Sequence, residues 1–332
     1  MNIPYIKAHG AGNDFLFTFE KALREPLHQD HLADFARGIC DRHRGVGADG
    51  WYLIRQPSEG HHAEILLFNS DGSKAELSGN GTRCAAAILV DAGLPTGTVR
   101  ILTGAGPRQV KLLERKGREF RFEMDMGRPT WSDDQLRFPL PLKAGKREVA
   151  ILDVGNPQCA VVVDSLDLDW RTLGAEIENH SEFPKKTNVS FIRRIDDHAI
   201  EARFWERGAG ATLSSGTGSL GAAAAAILLG QVGSPVRVVT EAGDLEVSWG
   251  ARSAPVPPKK IETAAPVAEA PPPPPPPVPE SVAEGEAPSG NAAPPPPPPP
   301  PPIVTWVFSA PQGNALVAGP ACVIATGEFF WP

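Results

Sequence analysis

Ser78-Gly79-Asn80-Gly81-Thr82-Arg83-Cys84-Ala85-Ala86-Ala87 and Ser215-Gly216-Thr217-Gly218-Ser219-Leu220-Gly221-Ala222-Ala223-Ala224 are two copies of one pattern, set 137 residues apart (215 − 78). Each is an S-G-x-G turn feeding an alanine-rich run. The runs predict helices over Arg83–Asp91, closed by Gly93, and over Ser219–Leu229, closed by Gly230. Repetition at domain-sized spacing predicts two similar lobes facing each other, the alternative being a chance likeness of two glycine-rich helix starts.

Short β-prone runs surround these helices. Ala63–Phe68, Val99–Leu102 and Arg121–Met124 read as strands in the first half, and Ala160–Val163, Val189–Ile192, Ala199–Trp205, Val236–Val239 and Asp244–Trp249 in the second. One composition shift interrupts them. Pro255–Pro302 holds 22 of the 36 prolines, including the runs Pro271–Pro277 and Pro294–Pro302. Such a run lacks the amide donors of a ladder, so polyproline II or disorder is expected there. Apolar residues resume at Ile303–Ser309 and Ala315–Ala318, with a Gly313-Asn314 turn signal between them. The segment therefore reads as an insertion between two strands of one folded unit, at little cost in closure entropy. By itself, residues 255–302 are either a spacer or a ligand for a proline-recognising, SH3-like groove.

The 332 residues carry a net charge of −7, which argues against a nucleic-acid partner because phosphate binding needs a basic surface. The start, Met1 to Asp14, lacks the charged and apolar regions of a secretory signal. No apolar run reaches the roughly 18 residues of a membrane span, and Ala222–Leu229 reads as a buried helix. A cytoplasmic protein with no membrane partner is expected. The four cysteines, Cys40, Cys84, Cys159 and Cys322, show no zinc or redox spacing and read as buried free thiols.

A glycine-rich turn opening a helix points unpaired N–H groups outward, where the helix dipole adds positive charge. Two such starts facing a cleft suit a small zwitterion with carboxylates. No lysine follows the last glycine of either copy, so neither is a P-loop, and no strand and downstream acid complete a dinucleotide fingerprint. Asn13, Asn69, Asn156 and Asn188 stand in turns at strand ends, where asparagine is usually structural. Glu206-Arg207, ending an apolar strand, fits either a surface ion pair or a grip on an amino group and a carboxylate.

In order along the chain stand His9-Gly10-Ala11-Gly12-Asn13-Asp14-Phe15, Asp41-Arg42-His43-Arg44-Gly45-Val46-Gly47-Ala48-Asp49, Phe68-Asn69-Ser70-Asp71-Gly72-Ser73 and Gly79-Asn80-Gly81-Thr82-Arg83-Cys84. Gly155-Asn156-Pro157, Asn188-Val189, Glu206-Arg207-Gly208-Ala209-Gly210 and Gly216-Thr217-Gly218 follow, and Gly319-Pro320-Ala321 resembles a closing strand. Together they resemble the diaminopimelate epimerase family over residues 1–250 and 313–330.

The resemblance implies an α+β fold of two pseudo-symmetric lobes, each a curved, mostly antiparallel sheet wrapped around a central helix, with the active site in the cleft. The N-terminal lobe would span 1–120 with a closing strand in 313–332, the C-terminal lobe 121–250, and the proline-rich insertion 251–302. It also implies an isomerase that inverts LL-diaminopimelate to the meso form, in lysine and peptidoglycan precursor synthesis, by two-base proton transfer without pyridoxal phosphate or metal. A homodimer is implied as well. By position, Asn13, Asn69, Asn156, Asn188, Glu206 and Arg207 would hold the polar groups of the amino-acid substrate, and Gly79, Asn80, Gly216 and Thr217 would cradle the reacting carboxylate.

The family's two catalytic cysteines immediately precede the Gly-x-Gly turns. Ser78 and Ser215 stand there in this chain, and Gln158 replaces the family's histidine after Asn-Pro. An alcohol is several units less acidic than a thiol, so serine needs a partner base. No histidine precedes either serine closely in the chain, so His9 and His43 are candidates only by approach in space. Three readings fit: an epimerase with activated serines at Ser78 and Ser215, a related amino-acid racemase or hydroxy-amino-acid dehydratase of the same fold, and a non-catalytic amino-acid-binding homologue.

Overall fold

A computed structural model describes residues 1–57, 59–94, 97–263 and 303–331. The first half runs β1 (Asn2–Gly10), β2 (Asn13–Phe19), α1 (Leu32–Cys40), β3 (Gly50–Arg55), β4 (Ala63–Asn69), β5 (Lys74–Ala75), α2 (Gly79–Asp91), β6 (Thr98–Thr103), β7 (Gly106–Lys116) and β8 (Glu119–Asp125). A hairpin of β9 (Phe138–Leu142) and β10 (Gly145–Asp153) opens the second half. There follow β11 (Pro157–Val162), α3 (Trp170–Glu178), β12 (Asn188–Asp196), β13 (Ala199–Glu206), β14 (Gly210–Thr212), α4 (Gly216–Leu228), β15 (Val236–Thr240) and β16 (Gly243–Trp249). The described chain ends with β17 (Lys259–Thr263), β18 (Ile303–Val307) and the long β19 (Ala315–Phe330).

The predicted pseudo-symmetry is written in the pairings. In the first lobe β2 runs parallel to β3, β3 antiparallel to β4, β4 parallel to β6, and β6 antiparallel to β7. In the second lobe β11, β12, β13, β15 and β16 repeat that order with the same directions. The first sheet closes into a ring through β8, β19 and β1. Leu316–Ala318 of β19 pairs with β8 on one side and with β16 on the other, so one strand serves both sheets. β8 crosses the expected lobe boundary at 120, and its Phe120, Phe122 and Met124 all pack in the core around α2.

Each sheet wraps around one helix, and that burial explains the alanine runs. In α2 and in α4, 12 of 13 residues are buried. A helix apolar on every side has no solvent face to offer and belongs inside a sheet. Small side chains let the strands close around it, with larger aliphatic and aromatic groups supplied by the sheet. Two amphipathic helices, missed in the sequence, cover the outer faces. α1 buries Leu32, Phe35, Ala36, Ile39 and Cys40, a stripe at helical spacing, against Trp51 and Leu53. α3 brings Trp170 and Ile177 onto Phe191 and Val161.

Both central helices begin earlier than their alanine runs suggest. The S-G-x-G segments are not loops before the helix but its first turn, with Ser78 and Ser215 as N-caps. Serine at that position accepts a backbone N–H otherwise left unpaired, which lets glycine continue as helix.

Lys259–Thr263 lies inside the span expected to be polyproline II or disordered, yet it is a strand. Its register pairs Lys259 with Val307 and Thr263 with Ile303, an antiparallel ribbon forming a unit of its own. Residues 259–263 include Ile261 and Thr263 and no proline, so a ladder is available to them. The proline runs themselves lie outside the described residues. Among the described residues no helix is long and apolar enough to cross a membrane.

Candidate active site

The two central helices meet N-terminus to N-terminus. A Cβ placed on Gly216 would stand 3.6 Å from the Gly79 Cα and 3.8 Å from Asn80 Oδ1. Ser78 Oγ accepts the Gly81 N–H at 3.2 Å, and Ser215 Oγ accepts the Gly218 N–H at 3.0 Å. These caps leave the N–H groups of Gly79, Asn80, Gly216 and Thr217 without an intrahelical acceptor. Four donors and two helix dipoles therefore converge, one set from each lobe, with a hydroxyl on either side.

The lobes also touch above this junction. Gly12, at φ +84 in the turn between β1 and β2, has no room for a side chain, because a Cβ there would overlap Ala242 in the turn between β15 and β16. Positive φ and close approach both demand glycine at this point.

In the first lobe the predicted asparagines are joined. Asn80 Nδ2 donates to Asn13 Oδ1 at 2.7 Å, and Asn13 Nδ2 donates to Asp49 Oδ2 at 3.2 Å. Asp49 in turn takes Arg42 at 2.8 Å. Asn69 stands apart: it is exposed at the end of β4 and donates to Ser73 Oγ at 3.0 Å.

In the second lobe Asn156 Nδ2 lies 3.4 Å from Thr217 Oγ1, while its Oδ1 accepts from Gln158 Nε2 at 2.7 Å. Gln158 reaches that place over Gly221, where a Cβ would stand 2.8 Å from the Gln158 Cγ. This close approach is why a glycine interrupts the alanine run of α4. Asn188 Nδ2 donates to the Pro157 carbonyl at 2.9 Å, and its Oδ1 accepts the Arg207 N–H at 3.0 Å. Glu206 and Arg207 face opposite ways. Thr212 Oγ1 donates to Glu206 Oε1 at 2.7 Å, whereas the exposed Arg207 donates to the Lys185 carbonyl at 3.2 Å. Glu178 steadies the loop after Glu206 by accepting the Gly208 N–H at 3.0 Å and Trp205 Nε1 at 2.8 Å.

The serines have unlike neighbours. Burial raises the Glu206 carboxyl above its ordinary range, hydrogen bonds from Thr212 and Ser215 pull it down, and Asp49 adds to the rise. Ser215 thus has a carboxylate partner. Ser78 lies instead against Tyr52, a phenol 1% exposed and stacked on Phe17 at 4.8 Å. Burial drives that phenol far up, with Cys84 adding and Ser78 opposing, so Tyr52 stays neutral. Neither of the two candidate histidines fills this role. His9 lines a hollow with Glu114, Lys116 and Arg121, and His43 sits exposed in the turn capped by Asp41. The thiols are not bases either. Cys40, Cys84 and Cys159 are buried and Cys322 is half-exposed; burial pushes Cys84 up to about 12.

Sequence reasoning missed Asp49, Tyr52 and Thr212 as parts of the site. Asp49 and Thr212 act through other side chains, and Tyr52 stands among apolar residues in a stretch not read as a strand from the sequence. Among the described residues no group of three His, Cys, Asp or Glu is placed to hold a metal ion.

The family model for diaminopimelate epimerase matches residues 5–132 and 150–262. Diaminopimelate epimerase of Pelotomaculum thermopropionicum is 37% identical over 74% of this chain and 91% of its own length. The Albidiferax ferrireducens enzyme of that name is 36% identical over 77% of this chain and 93% of its own. Among solved structures, a Bacillus anthracis phenazine biosynthesis protein of the PhzF family matches with a TM-score of 0.60 at 14% identity, covering all of both chains. A hydroxyproline epimerase from Agrobacterium vitis, solved with trans-4-hydroxy-L-proline, matches at TM-score 0.57 and 14% identity, over 98% of this chain and 92% of its own. Fold, facing helix termini and relatives define an isomerase of the epimerase and racemase type. Within that class, the chain belongs to the diaminopimelate epimerase family.

Proposed function

We propose that the protein inverts the α-carbon of LL-diaminopimelate to give the meso form, a cytoplasmic step toward lysine and peptidoglycan precursors, with Ser215 and Ser78 on opposite faces of the carbon. The observation that carries this reading is the convergence of two serine-capped helix N-termini, which supplies donors for one carboxylate and a hydroxyl on each side of it.

The α-carbon–hydrogen bond breaks toward Ser215 Oγ as the Ser215 hydroxyl proton passes to Glu206. Its electron pair stays on the carbon and spreads into the carboxylate, which the four N–H groups hold. Moving both protons together avoids a free alkoxide on Ser215. Ser78 gives its proton to the other face, and as product leaves the proton held by Glu206 passes through solvent water to Ser78, which restores both groups. Asn13, Asn156 and Asn188 serve as polar anchors for the remaining groups of the diacid, Arg207 joins them only by turning in from the Lys185 carbonyl, and lobe closure at Gly12 and Ala242 keeps water out.

The test is chiral separation of products after incubation with LL-diaminopimelate, for the native chain and for Ser78→Ala and Ser215→Ala. The meso isomer should form with the native chain and with neither variant. Inversion of trans-4-hydroxyproline in its place would assign the site to a different amino acid. Binding of LL-diaminopimelate without turnover would make the chain a binding homologue.

A further inference from the structure

Arg83 is a fully buried arginine without a carboxylate beside it. It has no exposed surface, and the ionisable groups that bear on it are Cys84 and another cation, Arg121. Its guanidinium donates to Asn80 Oδ1 and, at 3.5 Å, from Nε to the Pro320 carbonyl. Its third nitrogen, Nη1, is buried with no hydrogen-bond partner.

Burying a charge is costly unless it is paired, so an unpaired one calls for an explanation. Packing does not supply it. The residue 137 positions on, in the matching place of α4, is Leu220, also fully buried. A leucine therefore suffices at this level of the helix. The chain also makes room for the larger group: a Cβ on Gly319 of β19 would stand 2.9 Å from Arg83 Nη2. The unpartnered Nη1 lies one turn inside α2, 3.9 Å from where a Gly79 Cβ would be, and that same point is 3.9 Å from the Gly216 Cα. The free nitrogen is therefore aimed at the junction of the two helix N-termini.

We infer that Arg83 is the fixed cation beneath the junction, unpaired by any protein group because the carboxylate of the bound amino acid is its counter-ion. This rests on the junction being a carboxylate site, as proposed above. Arg83 is a positioning residue: it adds charge to two dipoles and holds Asn80, which holds Asn13. Burial lowers its guanidinium to about 10, still protonated at neutral pH, and a bound anion would reverse that depression.

The test uses the full chain, its Arg83→Met and Arg83→Lys variants, and two probes, LL-diaminopimelate and the carboxylate-free 1,5-diaminopentane. Arg83→Met should melt at or above the native temperature when empty, because removing an uncompensated buried charge relieves strain on the fold. It should bind LL-diaminopimelate at least about tenfold more weakly, with diaminopentane unaffected. A buried lysine titrates well below its ordinary range, so Arg83→Lys should take up a proton as LL-diaminopimelate binds near pH 8, seen by calorimetry in buffers of different ionisation enthalpy, while the native chain takes up none. An Arg83→Met variant that keeps the native preference for the diacid, or an Arg83→Lys variant that binds it without proton uptake, overturns the inference and leaves the carboxylate site standing. If Arg83→Met does not fold, the lysine variant alone decides. A native chain that binds both probes equally overturns the carboxylate site itself, and Arg83 with it.

Discussion

Gly216 and Gly79 face each other so closely that a Cβ on Gly216 would stand 3.6 Å from the Gly79 Cα. That is ordinary contact, not a clash, so steric necessity is not what keeps the positions bare. Each glycine opens a helix, where alanine is preferred by about 1 kcal/mol. Stability here is exchanged for open N–H groups.

Gly216→Ala should therefore fold at least as stably as the native chain, by up to about 1 kcal/mol, since alanine loses less freedom on entering a helix. Its methyl group fills the cradle, so binding of LL-diaminopimelate should fall at least about tenfold. Thermal melts and calorimetry on one preparation separate the two effects.

The serines cap as well as act. Ser78→Ala and Ser215→Ala should each cost about 1 kcal/mol of stability through the lost N-cap. Cysteine at both places is a poorer cap but a stronger acid, and helix N-termini lower thiol pKa. Ser78→Cys with Ser215→Cys should thus raise turnover by roughly 10- to 100-fold while lowering the melting temperature, within the range general acid–base groups contribute. Turnover and melting of the double variant check this.

Glu206 gives a pH dependence. Its folded carboxyl titrates above the ordinary 4.5, so between 4.5 and that raised value the folded state binds more protons than the unfolded one. Stability from this group is then lost as pH rises through the window. Glu206→Gln should match the native chain below 4.5 and exceed it at neutral pH, while losing proton transfer at Ser215. Chemical denaturation across pH 4–8 measures the difference.

Tyr52 and Gly81 form a tight pair, since a Cβ on Gly81 would overlap the Tyr52 hydroxyl and lie 2.5 Å from its ring. Gly81→Ala should cost about 1–3 kcal/mol by overpacking. Tyr52→Leu should recover much of that in the double variant, and denaturant melts of the four-protein cycle measure the coupling.

Much of this was legible. The repeated S-G-x-G pattern located both central helices, and the ordered motifs located nearly every residue of the junction. What escaped had physical causes. α1 and α3 are amphipathic helices only 9 residues long, too short for a helical period to stand out among strands. The serines showed as motif positions, yet nothing in the chain order says that Glu206 meets Ser215 while Tyr52 meets Ser78. Arg83 stood inside a quoted motif, but arginine on a helix ordinarily points to water. Only the closed ring of strands makes its place an interior one.

The most direct measurement is the α-proton NMR signal of LL-diaminopimelate in D2O with the native chain and with Glu206→Gln. The account predicts that the native chain removes the signal as the meso isomer appears, and that Glu206→Gln slows this by about 100-fold or more. Persistence of the α-proton with the native chain, while calorimetry shows the diacid bound, would contradict it.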